Sequence, residues 1–320
     1  MTLDIIVPHY KEPWETCKYL FDTIGTQRSV PLELVRVIVV NDGDSTIEIP
    51  DYPYEIVYLV KEHEGVSAAR NYGLDYSNAD YVMFCDCDDG FVSNYGLHLI
   101  FSAMQEGTDY IYSNFIEETF DEGGNPTITN HNVDFTFVHG KAYRREFLVK
   151  HNLRFNPDLT IHEDAYFNMV SYVTAKNDGT TKHVDTPFYV WIWNKDSVVR
   201  RNRKDFVLKT YRDVMLSRFA ICEDLKARGY EEDYIMAVCM TVMNSYYDFQ
   251  KPSYRKAINE KYLRSAEKEF KAYWAKYKDV FNDCTNEKIA VVATAARTIA
   301  RQNGLLLEQE TLYEFLKRMS

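Results

Sequence analysis

Two carboxylates two residues apart, Asp86 and Asp88, sit in the hexapeptide FCDCDD at residues 84–89, interleaved with Cys85 and Cys87 and followed by Asp89. Two chemistries compete for this stretch: Cys-x-Cys is a soft-metal or redox pair, Asp-x-Asp a site for a hard divalent cation. The remaining cysteines weigh against the first. The six, at 17, 85, 87, 222, 239 and 284, form no Cys-x-x-Cys pair and no Cys/His cluster with zinc spacing. On an extended segment side chains alternate, so Asp86 and Asp88 face one way while Cys85, Cys87 and Asp89 face the other. Two carboxylates so placed can share one Mg2+ or Mn2+, and the thiols become core fillers. The competing reading is a solvated turn whose Asp side chains cap their own backbone.

Other polar clusters carry candidate chemistry. Pro8-His9-Tyr10 follows the apolar run 3–7, and Asn41-Asp42-Gly43-Asp44 follows the β-branched run 34–40. The segment HEDAYFN at 162–168 places Glu163 and Asp164 at the start of an amphipathic stretch. There they could serve as bases for a hydroxyl proton or merely complement a helix N-terminus.

These clusters are positioned by alternating elements. A strand at 3–7 precedes a helix in which Trp14, Cys17, Leu20, Phe21 and Ile24 recur at helical spacing; strands follow at 34–40 and 55–60, a helix from Ser67, and a fourth strand at 81–85. Such alternation predicts an α/β fold with a mostly parallel sheet flanked by helices. Ligands of such sheets collect beyond the carboxyl ends of the strands, which is where residues 8–10, 41–44 and 86–89 fall. Asp121 to Pro126 reads as a hairpin tip or a mobile loop. From about residue 203 the pattern becomes helical, with stretches near 206–229, 232–249, 254–278, 286–303 and 309–319. The expected organisation is an α/β domain at 1–202, its ligands at the strand ends, and a helical C-terminal region at 203–320.

Composition narrows the partners. The chain has 320 residues, 46% of them hydrophobic, enough for a large core. Its 48 acidic and 37 basic residues leave a charge of -11, which disfavours indiscriminate binding to nucleic acid or anionic lipid. No apolar run approaches the roughly 20 residues of a membrane span. MTLDIIVPHY lacks the basic start, apolar middle and cleavage site of a secretory signal, which predicts a cytoplasmic protein with free thiols.

IIVPHYKE, VVNDGD, HEGVSAARNYGL, FCDCDD and HEDAYFN, in this order over residues 5–168, resemble the motif series of inverting GT-A glycosyltransferases of family 2. The resemblance covers roughly the first 200 residues. It implies a Rossmann-like GT-A domain and transfer of a sugar, such as a hexose, from a nucleotide-diphosphate donor to an acceptor hydroxyl. The implied donor is a UDP-sugar, the acceptor a carbohydrate or other hydroxyl-bearing molecule. By the same resemblance Pro8, Tyr10 and Glu12 line the nucleotide pocket and Asp42 accepts a hydrogen bond from the base. Gly65 lets backbone approach the ligand, and Arg70 reaches the donor or an acidic wall of the site. Asp86 holds the ribose and a metal-bound water or the cation itself, Asp88 ligates the metal, and Asp89 is structural. Asp164 is the implied catalytic base, with Glu163 orienting its surroundings. HGK at 139–141 matches a glycine-containing loop beside the donor sugar. In WIWNKDSVVRR, 191–201, related enzymes place diphosphate contacts, here Ser197, Arg200 or Arg201; the metal-binding histidine some of them carry there is missing, which leaves the third protein ligand open. Trp191 and Trp193 are candidates for stacking on an acceptor sugar or for the core. Two rival functions share much of this pattern: a sugar nucleotidylyltransferase, for which VPHYKEPWE lacks the glycine-rich basic loop, and a non-catalytic nucleotide-sugar-binding module.

Overall fold

The computed structural model describes residues 1–121, 123–194, 208, 210–251, 254, 260–302 and 304–320. They divide into two compact units, Met1–Lys195 and Asp196–Ser320. The expected boundary at 202/203 lies outside the described residues.

The first unit is built on β1 (Leu3–His9), an apolar strand flanked by β2 (Val35–Asp42) and β4 (Tyr81–Phe84), both parallel to it. Outside β2 lies β3 (Glu55–Lys61), also parallel. Beyond β4 the sheet becomes mixed: β8 (Lys141–Arg144) is antiparallel to β4 and to β6 (Tyr110–Phe120), while β9 (Thr181–Trp191) runs parallel to β6. A short β5 (Gly90–Phe91) closes the edge on β9, and β7 (Pro126–His131) pairs antiparallel with β6 as a hairpin, the Asp121 amide bonding to the Asn125 carbonyl at 2.9 Å. The order is β3-β2-β1-β4-β8-β6-β9-β5, with β7 branching from β6, nine strands among the described residues.

Period-two alternation sends the two faces of β1 to different helices. Leu3, Ile5 and Val7 pack into the core with Cys17, Leu20, Phe21 and Ile24 of α1 (Trp14–Gly25) and with Leu97, Ile100 and Met104 of α3 (Gly96–Gln105). Ile6 points the other way, onto α2 (Val66–Tyr76), where a Cβ on Gly73 would come within 2.5 Å of its Cγ2. The short helix α4 (Arg145–Lys150) follows β8, and α5 (Glu163–Asp178) begins at the Glu163-Asp164 pair as its sequence predicts.

The second unit contains α6 (Tyr211–Ala227), α7 (Glu231–Gln250), α8 (Glu260–Asn282), α9 (Asn286–Gln302) and α10 (Leu312–Met319). Aromatic contacts bind it, among them Phe219 with Tyr273 and Phe270 with Phe315. Thr311 and Glu314 form a capping box at the start of α10. Among the described residues, no helix is long and apolar enough to cross a membrane.

Candidate active site

The carboxyl ends of β1 and β2 build one half of the site. Pro8 and His9 close β1, paired in register with Val40 and Asn41. The chain then turns through Lys11, whose φ of 71° lies in the left-handed region. Glu12 stabilises this turn: its carboxylate accepts from the Tyr10 amide at 2.7 Å and its carbonyl lies 2.7 Å from His9 Nε2. Tyr10 is thereby held facing the end of β2, where Asp42 is buried.

The Asp42 carboxylate collects donors on every side. Lys61 Nζ (2.9 Å) and the Glu64 amide (3.0 Å) reach Oδ1; His63 Nδ1 (2.8 Å) and the Gly65 amide (2.8 Å) reach Oδ2. A carboxylate offers about four lone-pair positions, and all are taken. Burial pushes this carboxyl up, but Lys61 and the two amides outweigh it and hold it below its usual value. Gly65 has φ 94°, a conformation that suits glycine, and from there its amide serves Asp42 while α2 begins at the next residue.

The second half forms where β4 gives way to a turn. Strand pairing stops at Phe84, and the Asp89 amide bonds back to the Asp86 carbonyl at 3.2 Å. The expected division of faces survives the turn: Cys85, Cys87 and Asp89 are buried, Asp86 and Asp88 are half-buried. The described cysteines are all free thiols. Asp89 accepts from Tyr189 Oη at 2.8 Å and from the Ile192 amide at 3.0 Å, tying the acidic turn to the end of β9. Asp88 accepts from Asn194 Nδ2 at 2.9 Å.

One buried cation joins this turn to α5. Arg70, on α2, donates through Nη2 to Asp86 Oδ1 at 2.8 Å and through Nη1 to Glu163 Oε1 at 3.0 Å and Asp164 Oδ1 at 2.5 Å. Its guanidinium also lies 5.1 Å from the centre of the Phe155 ring. Asp164 Oδ2 accepts from the Val138 amide over a long 3.4 Å. The loop carrying Val138 is gripped from beneath by buried Lys141, whose Nζ donates to the Phe137 and His139 carbonyls at 2.6 and 3.3 Å. Burial pulls the Lys141 ammonium down to about 8. Burial likewise pushes the Asp164 carboxyl well above its usual range, with Glu163 and Asp86 reinforcing and Arg70 opposing.

Carboxylates outnumber cations here. Arg70 faces Asp86, Glu163 and Asp164, and Asp88 and Asp89 stand beside Asp86, which raises both of them after burial itself. Among the described residues, possible ligand atoms of Asp86, Asp89 and His139 lie within 4.8 Å of one another. His139 is buried, its Nδ1 has no hydrogen-bond partner, and Asp89 Oδ2 is 3.6 Å from it. An oxygen-rich set with one spare imidazole nitrogen and unbalanced negative charge fits a hard divalent cation.

Asp86, Arg70, Glu163 and Asp164 thus meet directly, Asp88 borders them, and Pro8, Tyr10, Glu12, Asp42 and Gly65 gather around the ends of β1 and β2. Ser197, Arg200 and Arg201 lie outside the described residues. Trp191 packs against Phe137 at 5.0 Å and Trp193 against Phe120 at 5.0 Å. Two residues escaped the sequence reading. His63 lies against Asp42 and Tyr10, and only its place two residues before Gly65 hinted at this. His139 lay in a segment noted for its glycine, while the missing histidine was sought near residues 191–201.

The family model for glycosyl transferase family 2 matches residues 4–164, the span from β1 to Asp164. Among curated proteins, the uncharacterised glycosyltransferase EpsJ of Bacillus subtilis (strain 168) is 28% identical over 222 residues, which is 61% of this chain and 62% of EpsJ. The chain spans about three-fifths of the length of the first such relatives. Among solved structures, TarS 1–349 of S. aureus in complex with UDP-GlcNAc superposes with a TM-score of 0.50 at 16% identity, over 93% of this chain and 92% of that one. The mannosyltransferase PcManGT of Pyrobaculum calidifontis in complex with GDP-Man and Mn2+ gives 0.50 at 14% identity, over 99% and 85%. At these identities the likeness is one of fold.

Proposed function

The chain belongs to glycosyl transferase family 2 and has the GT-A fold, and from that premise we propose that it transfers a sugar from a UDP-sugar to an acceptor hydroxyl with inversion at the anomeric carbon. The observation that carries this reading is Arg70. One guanidinium binds Asp86 of the acidic turn and Asp164 at the start of α5, so a donor-holding group and a candidate base are assembled on a single cation.

Asp164 Oδ1 is committed to Arg70, while Oδ2 faces the more distant Val138 amide. Oδ2 is therefore the atom that takes the acceptor hydroxyl's proton. As the acceptor's oxygen forms its bond to the anomeric carbon, the bond from this carbon to the diphosphate breaks on the opposite face. Burial raises this carboxyl, which makes its ionised form a stronger acceptor for the hydroxyl's proton. Glu163 shares Nη1 of Arg70 and fixes the direction of the guanidinium.

Asp86 and Asp88, with Asp89 and His139 adjoining, would hold Mn2+ or Mg2+. When bound, the cation neutralises charge on the departing diphosphate. Tyr10 offers a flat face to the base and Asp42 an acceptor. Lys61 and the amides of Glu64 and Gly65 are built into the fold, so a ligand can free one lone pair of Asp42, the one that His63 holds. A single N–H suits that vacancy. Uracil presents one imide N–H, whereas guanine presents N–H groups on adjacent atoms, and this favours uridine.

The test is nucleotide release from a panel of UDP- and GDP-sugars, with Mn2+ and with excess chelator. UDP should be released from at least one UDP-sugar, and chelator should stop it. A chain that binds nucleotide sugars without turnover under any acceptor would instead be a binding module, and formation of a nucleotide sugar from nucleoside triphosphate and sugar 1-phosphate would make it a nucleotidylyltransferase.

A further inference from the structure

The base slot holds a flat heterocycle of the chain's own. The His63 ring stacks on Tyr10, with centroids 4.2 Å apart and planes 11° from parallel, and its Nδ1 lies 2.8 Å from Asp42 Oδ2. Asp42 is a carboxylate and accepts only, so Nδ1 carries the proton. A stacked aromatic face and a ring N–H given to Asp42 are the two interactions assigned above to a uracil.

The fold is arranged to bring this residue in. Gly43, with φ 82°, follows Asp42, and a Cβ there would stand 2.5 Å from the His63 backbone nitrogen. Only glycine lets the 61–65 segment lie this close to the end of β2. The other donors to Asp42 are fixed: two are backbone amides and the third, Lys61, has a side chain only 9% exposed and also bound to Glu64 at 2.8 Å. The His63 side chain is 53% exposed. It is the one donor free to rotate into solvent without disturbing the backbone.

We propose that His63 is an intramolecular stand-in for the nucleotide base, occupying the Tyr10 face and the Asp42 acceptor until a nucleotide displaces it. The inference rests on the base-slot reading above. Its consequence is that the apparent affinity for the nucleotide is lowered by the fraction of time the slot is filled. A partly exposed stack and one hydrogen bond to a carboxylate correspond to a penalty of roughly 5- to 30-fold. The device leaves the slot satisfied when empty of ligand and makes entry selective for a base that replaces both contacts.

The experiment compares UDP, GDP and pyrophosphate binding by calorimetry, with Mn2+ present, in the full-length wild-type chain, His63→Ala and Asp42→Ala. Expected are roughly 5- to 30-fold tighter UDP binding in His63→Ala, unchanged pyrophosphate affinity in that variant, and a diminished UDP-over-GDP preference in Asp42→Ala. Equal or weaker UDP binding in His63→Ala, with Asp42→Ala still losing base preference, overturns the stand-in while the base slot stands; weaker binding would make His63 a direct ligand. An unchanged UDP:GDP ratio in Asp42→Ala removes the base slot itself, and the stand-in with it. Tighter binding of pyrophosphate as well as UDP would place the effect of His63 on the phosphates and also defeats the proposal.

Discussion

Replacing Arg70 by methionine keeps much of the side-chain length and removes the one charge shared by Asp86, Glu163 and Asp164. These partners lie at 2.8, 3.0 and 2.5 Å, and the Arg70 side chain is 3% exposed, so water cannot take its place without rearrangement. Stripping one partner from a buried ion pair costs about 3–5 kcal/mol, and for a unit the size of Met1–Lys195 that corresponds to a drop in melting temperature of about 6–20 °C. The cost should depend on pH. In the wild type, burial raises Asp86 but Arg70 and His139 overcome it, leaving Asp86 below its usual value. Its contribution is present above the ordinary carboxylate range and lost as pH falls through the lowered value. Without Arg70 burial raises Asp86 as well and raises Asp164 further, so the added penalty grows with pH and fades as falling pH protonates them. Urea denaturation of Arg70→Met beside the wild type should therefore give its largest stability gap near pH 8 and a clearly smaller one near pH 5. A gap under about 1 kcal/mol at pH 8, or one equal at both pH values, would refute the idea that the guanidinium stabilises the acidic cluster electrostatically. It would leave Arg70 as packing against Phe155.

Asp164→Asn preserves shape and the contact with Arg70, so UDP and Mn2+ binding should survive while sugar transfer falls by about 10²- to 10⁴-fold; if binding, melting temperature and transfer collapse together, Asp164 is a structural cap, and if transfer persists, Glu163→Gln is the next variant to assay. Asp88→Asn should abolish Mn2+-dependent turnover at limiting metal, and near-normal rates there would remove Asp88 from the metal site. Cys85→Ala with Cys87→Ala empties buried volume, so stability should drop by about 1–3 kcal/mol with the metal requirement unchanged; loss of metal binding by the folded double variant would make the thiols ligands. His131, bonded to Asp134 and Glu117, is raised to about 9. Its stabilisation is complete below its ordinary value and disappears as pH rises through about 9, so the gap between wild type and His131→Gln should be about 2–3 kcal/mol near pH 6 and close near pH 10. A proton NMR titration of His131 near its ordinary value would contradict this.

Much of the first half of the unit Met1–Lys195 was legible because its signals are local. A run of branched apolar residues ended by Pro8, Asn41-Asp42 or the acidic stretch declares both a strand and its end, and the strands observed at Leu3–His9, Val35–Asp42, Glu55–Lys61 and Tyr81–Phe84 follow those runs to within a residue or two. The helical stripes after residue 210 were legible too, their bounds good to several residues, as was the opposed burial of the thiols and of Asp86 and Asp88. The mixed half of the sheet was harder to read. Lys141–Arg144 spans four residues and pairs with β4 and β6, far away along the chain; its pattern alone is too short to distinguish a strand from a turn.

Sequence by itself determined which residue types stand at the ends of strands, and so which groups could do chemistry. Tertiary structure alone decided who meets whom. Arg70 finds Glu163 and Asp164 across 93 and 94 residues, His139 is brought under the acidic turn from β8's edge, and His63 turns back onto Tyr10 and Asp42. The physical reason is that period and capping act over a turn or a few residues, whereas these encounters depend on strand order and on the need of buried charges to find partners. A buried guanidinium or carboxylate is costly until it is paired, and the pairing available to each is set by the strands and helices that the whole chain places beside it.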